Sequence, residues 1–166
     1  MAETGGKHEA HRRLVRRLED QAQDVERLTR ELDDDALARR VVLGKWSLKE
    51  LAGHLWRVQQ VFEGRLDAML GGDNPKLASW NPDNDPAFDQ MLDAKSRKVV
   101  GGFLGGRKAF LERLAKLEPA EWHRPAQHPD FPRYDVHFMV EYLAHHEAHH
   151  IYQMYTRRAV LGRIPH

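Results

Sequence analysis

Residues 139–158 read Met139-Val140-Glu141-Tyr142-Leu143-Ala144-His145-His146-Glu147-Ala148-His149-His150-Ile151-Tyr152-Gln153-Met154-Tyr155-Thr156-Arg157-Arg158. The run contains no Gly and no Pro, so one continuous helix is predicted across it. Four of the chain's eleven histidines fall within it, as the pairs His145/His149 and His146/His150. On a helix, residues four apart share a face with Cβ atoms roughly 6 Å apart, so two imidazoles at that spacing can share a metal ion.

A helical wheel separates the pairs. Val140, Leu143, Ala144, Ile151 and Met154 define the apolar side. At about 100° per residue, His150 falls roughly 60° from its centre and His146 roughly 100°. His145 and His149 fall nearly opposite. His146 and His150 therefore border the core, while His145 and His149 point outward. Glu147 projects close to the middle of the apolar side, where a lone carboxylate is costly unless paired or bound. Histidine runs also occur as solvated faces or tags, but this one is interrupted by Glu and Ala and flanked by apolar helix. A metal site needs a third ligand from elsewhere.

Bulk composition narrows the rest. The chain has 166 residues, enough for a single domain over residues 1–166 with a sizeable core. Lys plus Arg number 26 against 25 Asp plus Glu. That balance leaves no electrostatic footprint for nucleic acid or an acidic membrane. There is no cysteine, so any metal must be held by His and carboxylate. No apolar run reaches membrane-spanning length and no signal-peptide pattern opens the chain, so a cytoplasmic location is expected.

In chain order, Met1–Lys7 reads as a frayed, disordered start. From His8 to about Leu32, Leu14, Leu18, Val25, Leu28 and Leu32 recur at helical spacing and predict a first amphipathic helix. His8 and His11, at its start, are expected to be solvated. A second helix starts at Ser47: Ser47 and Glu50 form a capping-box pattern, with Trp46 and Leu51 as the hydrophobic staple. Its stripe runs through Leu48, Leu51, Leu55, Val58, Phe62, Leu66 and Met69, and Gly71-Gly72 ends it. His54 lies beside that stripe. A lone histidine there is ordinarily structural, unless a histidine pair waits on a neighbouring helix.

Asp73–Pro86 is a long loop carrying Trp80, suited to a crossover or lid. Third-helix signals run from near Phe88 to Leu117. Gly101-Gly102 and Gly105-Gly106 within them imply a weak or kinked middle, or close helix approach. Glu118–Arg133 is a second loop. His123 there reads as a surface residue, and His128 is open to a role near a site. His137 reads as structural or solvated. The fourth helix runs from about Asp135 to about Val160. Four helices with no strand alternation give an all-α four-helix bundle, a fold that builds metal sites between facing helices.

His146-Glu147-Ala148-His149-His150 also matches H-E-x-x-H, the zinc-peptidase signature. The context does not. Thr156 stands where the extended motif needs a third histidine, no Asp or Glu follows Glu147, and no strand precedes the helix.

The stretch Trp46-Ser47-Leu48-Lys49-Glu50-Leu51-Ala52-Gly53-His54-Leu55 resembles the W-S-x-x-E-x-x-x-H-L segment of the DinB-like (DinB/YfiT-like) family. The resemblance continues through Arg107 and the end of the third helix. It includes Glu121-Trp122-His123-Arg124 and His128-Pro129-Asp130-Phe131, similar to W-x-R and H-P-x-[FY]-G. It ends in His146-Glu147-Ala148-His149-His150-Ile151-Tyr152-Gln153, similar to H-[DE]-x-x-H-x-x-Q. Pro132 stands where the family has Gly. The resemblance implies an up-down-down-up four-helix bundle with one divalent metal on His54, His146 and His150. It implies zinc, nickel, iron or manganese as the ion, and a homodimer. It also implies a hydrolase, or a transferase using a small thiol as co-substrate, acting on a small molecule.

Three histidines leave an ion room for water or substrate, as in catalytic rather than closed structural sites. Glu147 is the candidate base or ligand-orienting partner, with Gln153 a weaker orienting candidate. A non-catalytic, stress-related metal-binding bundle is the alternative, distinguished by a fourth protein ligand that closes the site. With no cysteine and no serine in a nucleophile-elbow context, a covalent acyl-serine or protein-thiol route has no candidate.

Overall fold

The computed structural model describes residues 2–166, with side chains described at Gly6 and from His8 onward. Met1 and the side chains of residues 2–5 and 7 lie outside that set; where a frayed, disordered start is expected over Met1–Lys7, the described backbone from Ala2 is helical. Four long helices form the body: α1 (Ala2–Thr29), α3 (Leu48–Gly71), α5 (Ser96–Ala115) and α6 (Val136–Leu161). Two short ones, α2 (Asp34–Ala38) and α4 (Pro86–Met91), sit in the connections. Among the described residues there is no strand, only isolated bridges. None of the described helices is long and apolar enough to cross a membrane.

Cross-helix contacts fix the directions. His11 meets His137, Gln21 donates to the Ala144 carbonyl, and Arg158 donates to the Arg30 carbonyl, so α1 and α6 run parallel. Arg107 donates to Leu18 O and Arg97 to Thr29 O, so α1 and α5 are antiparallel. Trp56 lies against Gly102, and Asp67 pairs with Arg113, so α3 and α5 are parallel. His54 faces His150 and Phe62 faces Tyr142, so α3 and α6 are antiparallel. The order is up-down-down-up, as the family resemblance implies. The parallel neighbours α3 and α5 require a long crossover, which is the work of residues 72–95.

The termini follow the local chemistry. Ser47 caps α3 with the full capping box: Ser47 Oγ accepts from Glu50 N–H, and Glu50 accepts from Ser47 N–H. Arg124 donates to the Met69, Leu70 and Gly72 carbonyls. A cation there satisfies orphan acceptors at the negative end of α3. Asp135 caps α6. The third helix departs from expectation. Phe88 belongs to the separate α4, and α5 begins only at Ser96. Lys49 Nζ donates to the Leu92 carbonyl and Ser96 Oγ to the Asp34 carbonyl. These tertiary contacts hold residues 92–95 as a turn. The glycines do not break α5. A Cβ on Gly102 would lie 2.2 Å from the Trp56 ring, and one on Gly106 2.9 Å from Gln59 Nε2. They allow close approach of α3 and α5.

His11 corrects the sequence reading. It is buried, stacked on Trp122 at 4.5 Å, and its Nδ1 lies 2.8 Å from His137 Nδ1. The burying ring, Trp122, comes from the loop before α6, which no local signal near His11 reveals.

The two long loops are stitched together by backbone bonds. Leu77 N–H donates to Gln127 O, Gln127 N–H to Pro75 O, and Ala126 N–H to Tyr134 O. This places Trp80, His128, Phe131 and Tyr134 around one cavity beside α3 and α6.

Candidate metal centre

His54, near the start of α3, meets His146 and His150 in mid-α6. Their ring nitrogens all lie within 4.8 Å of one another. His146 Nε2 is 3.1 Å from His150 Nε2 and 3.4 Å from His54 Nε2. Donors about 2.0–2.1 Å from a tetrahedral ion stand about 3.3 Å apart. Two of the three spacings thus match one coordination face, and the donor set fits a borderline divalent ion.

Electrostatics agree with that fit. Burial, reinforced by the neighbouring imidazoles, pushes His54 down to about 3 and His146 down to about 4. Burial also lowers His150, against an opposing hydrogen bond from Gln153. Neutral imidazole is the ligating form, so the cluster is ready to bind at neutral pH. Gln153 Oε1 lies 2.8 Å from His150 Nδ1. A proton on Nδ1 donated to that oxygen leaves Nε2 free to ligate, the orienting role expected of a partner outside the ligand set. His146 Nδ1 is buried and has no partner among the described residues. Trp46 flanks the cluster, 5.1 Å from the His54 ring, and Tyr142 stacks beside His146 at 6.4 Å.

The outward pair behaves as the wheel implies. His145 and His149 are exposed, and His145 has only a 3.5 Å contact to Arg17. Glu147 is fully buried, as its place on the apolar side requires, but it is committed elsewhere. Oε1 accepts from Arg107 at 2.8 Å, and Oε2 accepts a second Arg107 bond. Arg107 also donates to Gln59 Oε1 at 2.7 Å and to Leu18 O at 3.0 Å. The carboxylate expected to act as a base is therefore a bidentate ion-pair partner joining α6 to α5. The base reading takes only one helix into account, whereas the Arg107 partner comes from another.

Sequence reasoning placed Arg107 within the family resemblance but did not pair it with Glu147. Its signal was present: Val99, Phe103, Arg107, Phe110 and Leu114 form one buried stripe of α5, and an arginine in such a stripe demands an acidic partner. Arg65, Tyr134 and Tyr142 were also missed as site residues. They reach it through the cavity, of about 260 Å³, lined by His54 and His146 together with Phe62, Trp80, His128 and Phe131.

The neutral, buried histidines have a pH consequence. Unfolding returns them to ordinary values near 6.5, so the unfolded state binds more protons below that pH. The stability of metal-free protein is present above about 6.5 and lost as pH falls toward the folded values. His11, pushed down to about 4 mainly by burial and then by His137 and His123, contributes away from the cluster. Thermal melts of metal-free protein from pH 7 to pH 5 should show a falling midpoint, and the fall should be smaller in His11→Phe. An equal fall in that variant would contradict the assignment of His11.

The DinB superfamily pattern matches residues 17–154. No curated protein matches. Among solved structures, YfiT from Bacillus subtilis superposes with a TM-score of 0.75 at 15% identity, covering 91% of this chain and 87% of that one. YfiT is described as "a probable metal-dependent hydrolase with an unusual four-helix bundle topology". At that identity the likeness shows the shared fold. The family follows from the match over most of the chain, from α1 to the far side of the histidine helix: the chain belongs to the DinB superfamily.

Proposed function

We propose that this chain is a metal-dependent enzyme. One divalent transition ion sits on His54, His146 and His150, and a small molecule reacts in the adjoining cavity. The observation that carries the reading is the convergence of three imidazoles, two of which, His54 and His146, line the cavity, with no fourth ligand among the described residues. Catalytic sites keep three protein ligands and an open position, whereas structural sites are closed. Zinc, nickel, iron and manganese all accept imidazole donors. Such an ion supplies Lewis acidity, polarising a substrate and lowering the pKa of water or of a small thiol.

The chain's own residues do the remaining work. Gln153 fixes the tautomer of His150. Phe62, Phe131 and Tyr142 form one aromatic wall of the cavity. Glu147 acts as a positioning residue, holding α6 in register through Arg107. Hydrolysis and thiol-dependent transfer both suit the site, and the description of YfiT as a hydrolase supports the first. The second needs a separate low-molecular-weight thiol, since the chain has no cysteine.

Tag-free protein loaded with each ion, assayed on activated esters and amides and on electrophiles with small thiols, tests this. Turnover should stop on chelation and return on reloading. The His145→Ala/His149→Ala variant should keep both metal and turnover. Turnover that persists in chelator, or in His54→Ala, would sink the proposal.

A further inference from the structure

The cavity has a second end, and its chemistry is cationic. His54, Val58 and Arg65 lie on one face of α3 and line the same cavity. Arg65 is the single cationic side chain of that lining. Its guanidinium leans back over the Phe62 ring, 5.3 Å from the centroid, as helical side chains do. It bonds to the Ala78 carbonyl at 3.3 Å and lies beside the Tyr134 hydroxyl. Among the described residues it pairs with no carboxylate, whereas Arg57, Arg107 and Arg113 each do.

His128 adds a second donor. Its Nδ1 accepts the Asp130 backbone N–H at 3.1 Å. The neutral ring therefore carries its proton on Nε2. The one acid of the lining, Asp130, is exposed to water.

We propose that the cavity binds a small molecule carrying a carboxylate, held by Arg65 at the end away from the histidines. A guanidinium pairs with a carboxylate through two parallel N–H···O bonds, and a partly enclosed aromatic setting strengthens them. From His54 to Arg65 the helix rises about 16 Å, and the side chain leans back about one turn, leaving about 10 Å. The substrate class is thus an elongated carboxylic acid whose reacting group lies about 10 Å from its anion. The anion anchor itself needs no metal; only the assignment of the far end as the reacting end rests on the proposed function above.

Metal-free protein separates the two. Hexanoate and hexanamide, equal in length and different in charge, are titrated into 15N-labelled metal-free protein, following the backbone amide signals of the residues lining the cavity, with the Arg65 Nε–H signal as a further reporter in the wild type. Removing the ion prevents the carboxylate from ligating it. Hexanoate should bind at least tenfold more tightly than hexanamide. The preference should vanish in Arg65→Met and survive, reduced, in Arg65→Lys. Equal binding of the two probes, no binding of either, or a preference that persists in Arg65→Met overturns the proposal. Metal loading of the same preparations reports on the histidine site independently, so the failure of one claim is distinguishable from the failure of the other.

Discussion

Arg107→Ala and Glu147→Ala should each destabilise the protein by about 3–5 kcal/mol, the usual cost of leaving one partner of a buried ion pair unpaired. Both side chains are 1% exposed, and Arg107 spends its donors on Glu147, Gln59 and the Leu18 carbonyl. At that burial bulk solvent does not reach the partner left behind. Replacing both with apolar residues of similar volume, Arg107→Met/Glu147→Leu, should cost much less than the two single changes together. The exposed pair Arg12–Glu9 provides the contrast, because water and salt screen it and its removal should leave stability nearly unchanged. Urea melts of the four variants measure this. Single changes costing under about 1 kcal/mol would mean the pair is not closed as described.

Glu147→Gln then separates the positioning role from a base role. Gln still accepts from Arg107 through its carbonyl, so much of the fold should survive. Turnover per folded, metal-loaded chain should be retained. Loss of turnover at normal metal content and normal stability would return Glu147 to the chemistry.

The second large effect concerns the ion. His54→Ala and His150→Ala should reduce metal content from one ion per chain to background after dialysis against weak chelator. Removing the orienting partner should have a smaller effect: Gln153→Leu should weaken binding by about 10–100-fold. Elemental analysis reads both. Full occupancy in His54→Ala would remove α3 from the site. Metal lost from His145→Ala/His149→Ala but kept in His146→Ala would mean that the outward pair, not the inward one, binds.

Much of this site was legible in the sequence, and the reasons are physical. The inward position of His146 and His150 follows from helix periodicity alone, since Val140, Leu143 and Met154 mark the buried side. The start of α3 follows from capping chemistry, which is local to Ser47 and Glu50. His54 as third ligand came from family resemblance, because nothing in its own helix distinguishes a ligand from a core-border histidine. What stayed hidden depends on contacts distant in sequence. Glu147 read as chemical because a buried carboxylate must have a partner, but the partner stands on α5. The break between α4 and α5 carries no Gly or Pro and is held by Lys49 and Asp34 from elsewhere in the fold. The cavity wall comes from two loops joined by main-chain bonds, which leave no trace in residue type.

X-ray absorption spectroscopy of tag-free protein loaded with one equivalent of zinc tests the central claim most directly. The account predicts three imidazole ligands and one oxygen from a non-protein ligand, and no such histidine-bound zinc in His54→Ala, which does not retain the ion. Four protein ligands in the wild type, or an unchanged imidazole count in His54→Ala, would contradict an open three-histidine centre.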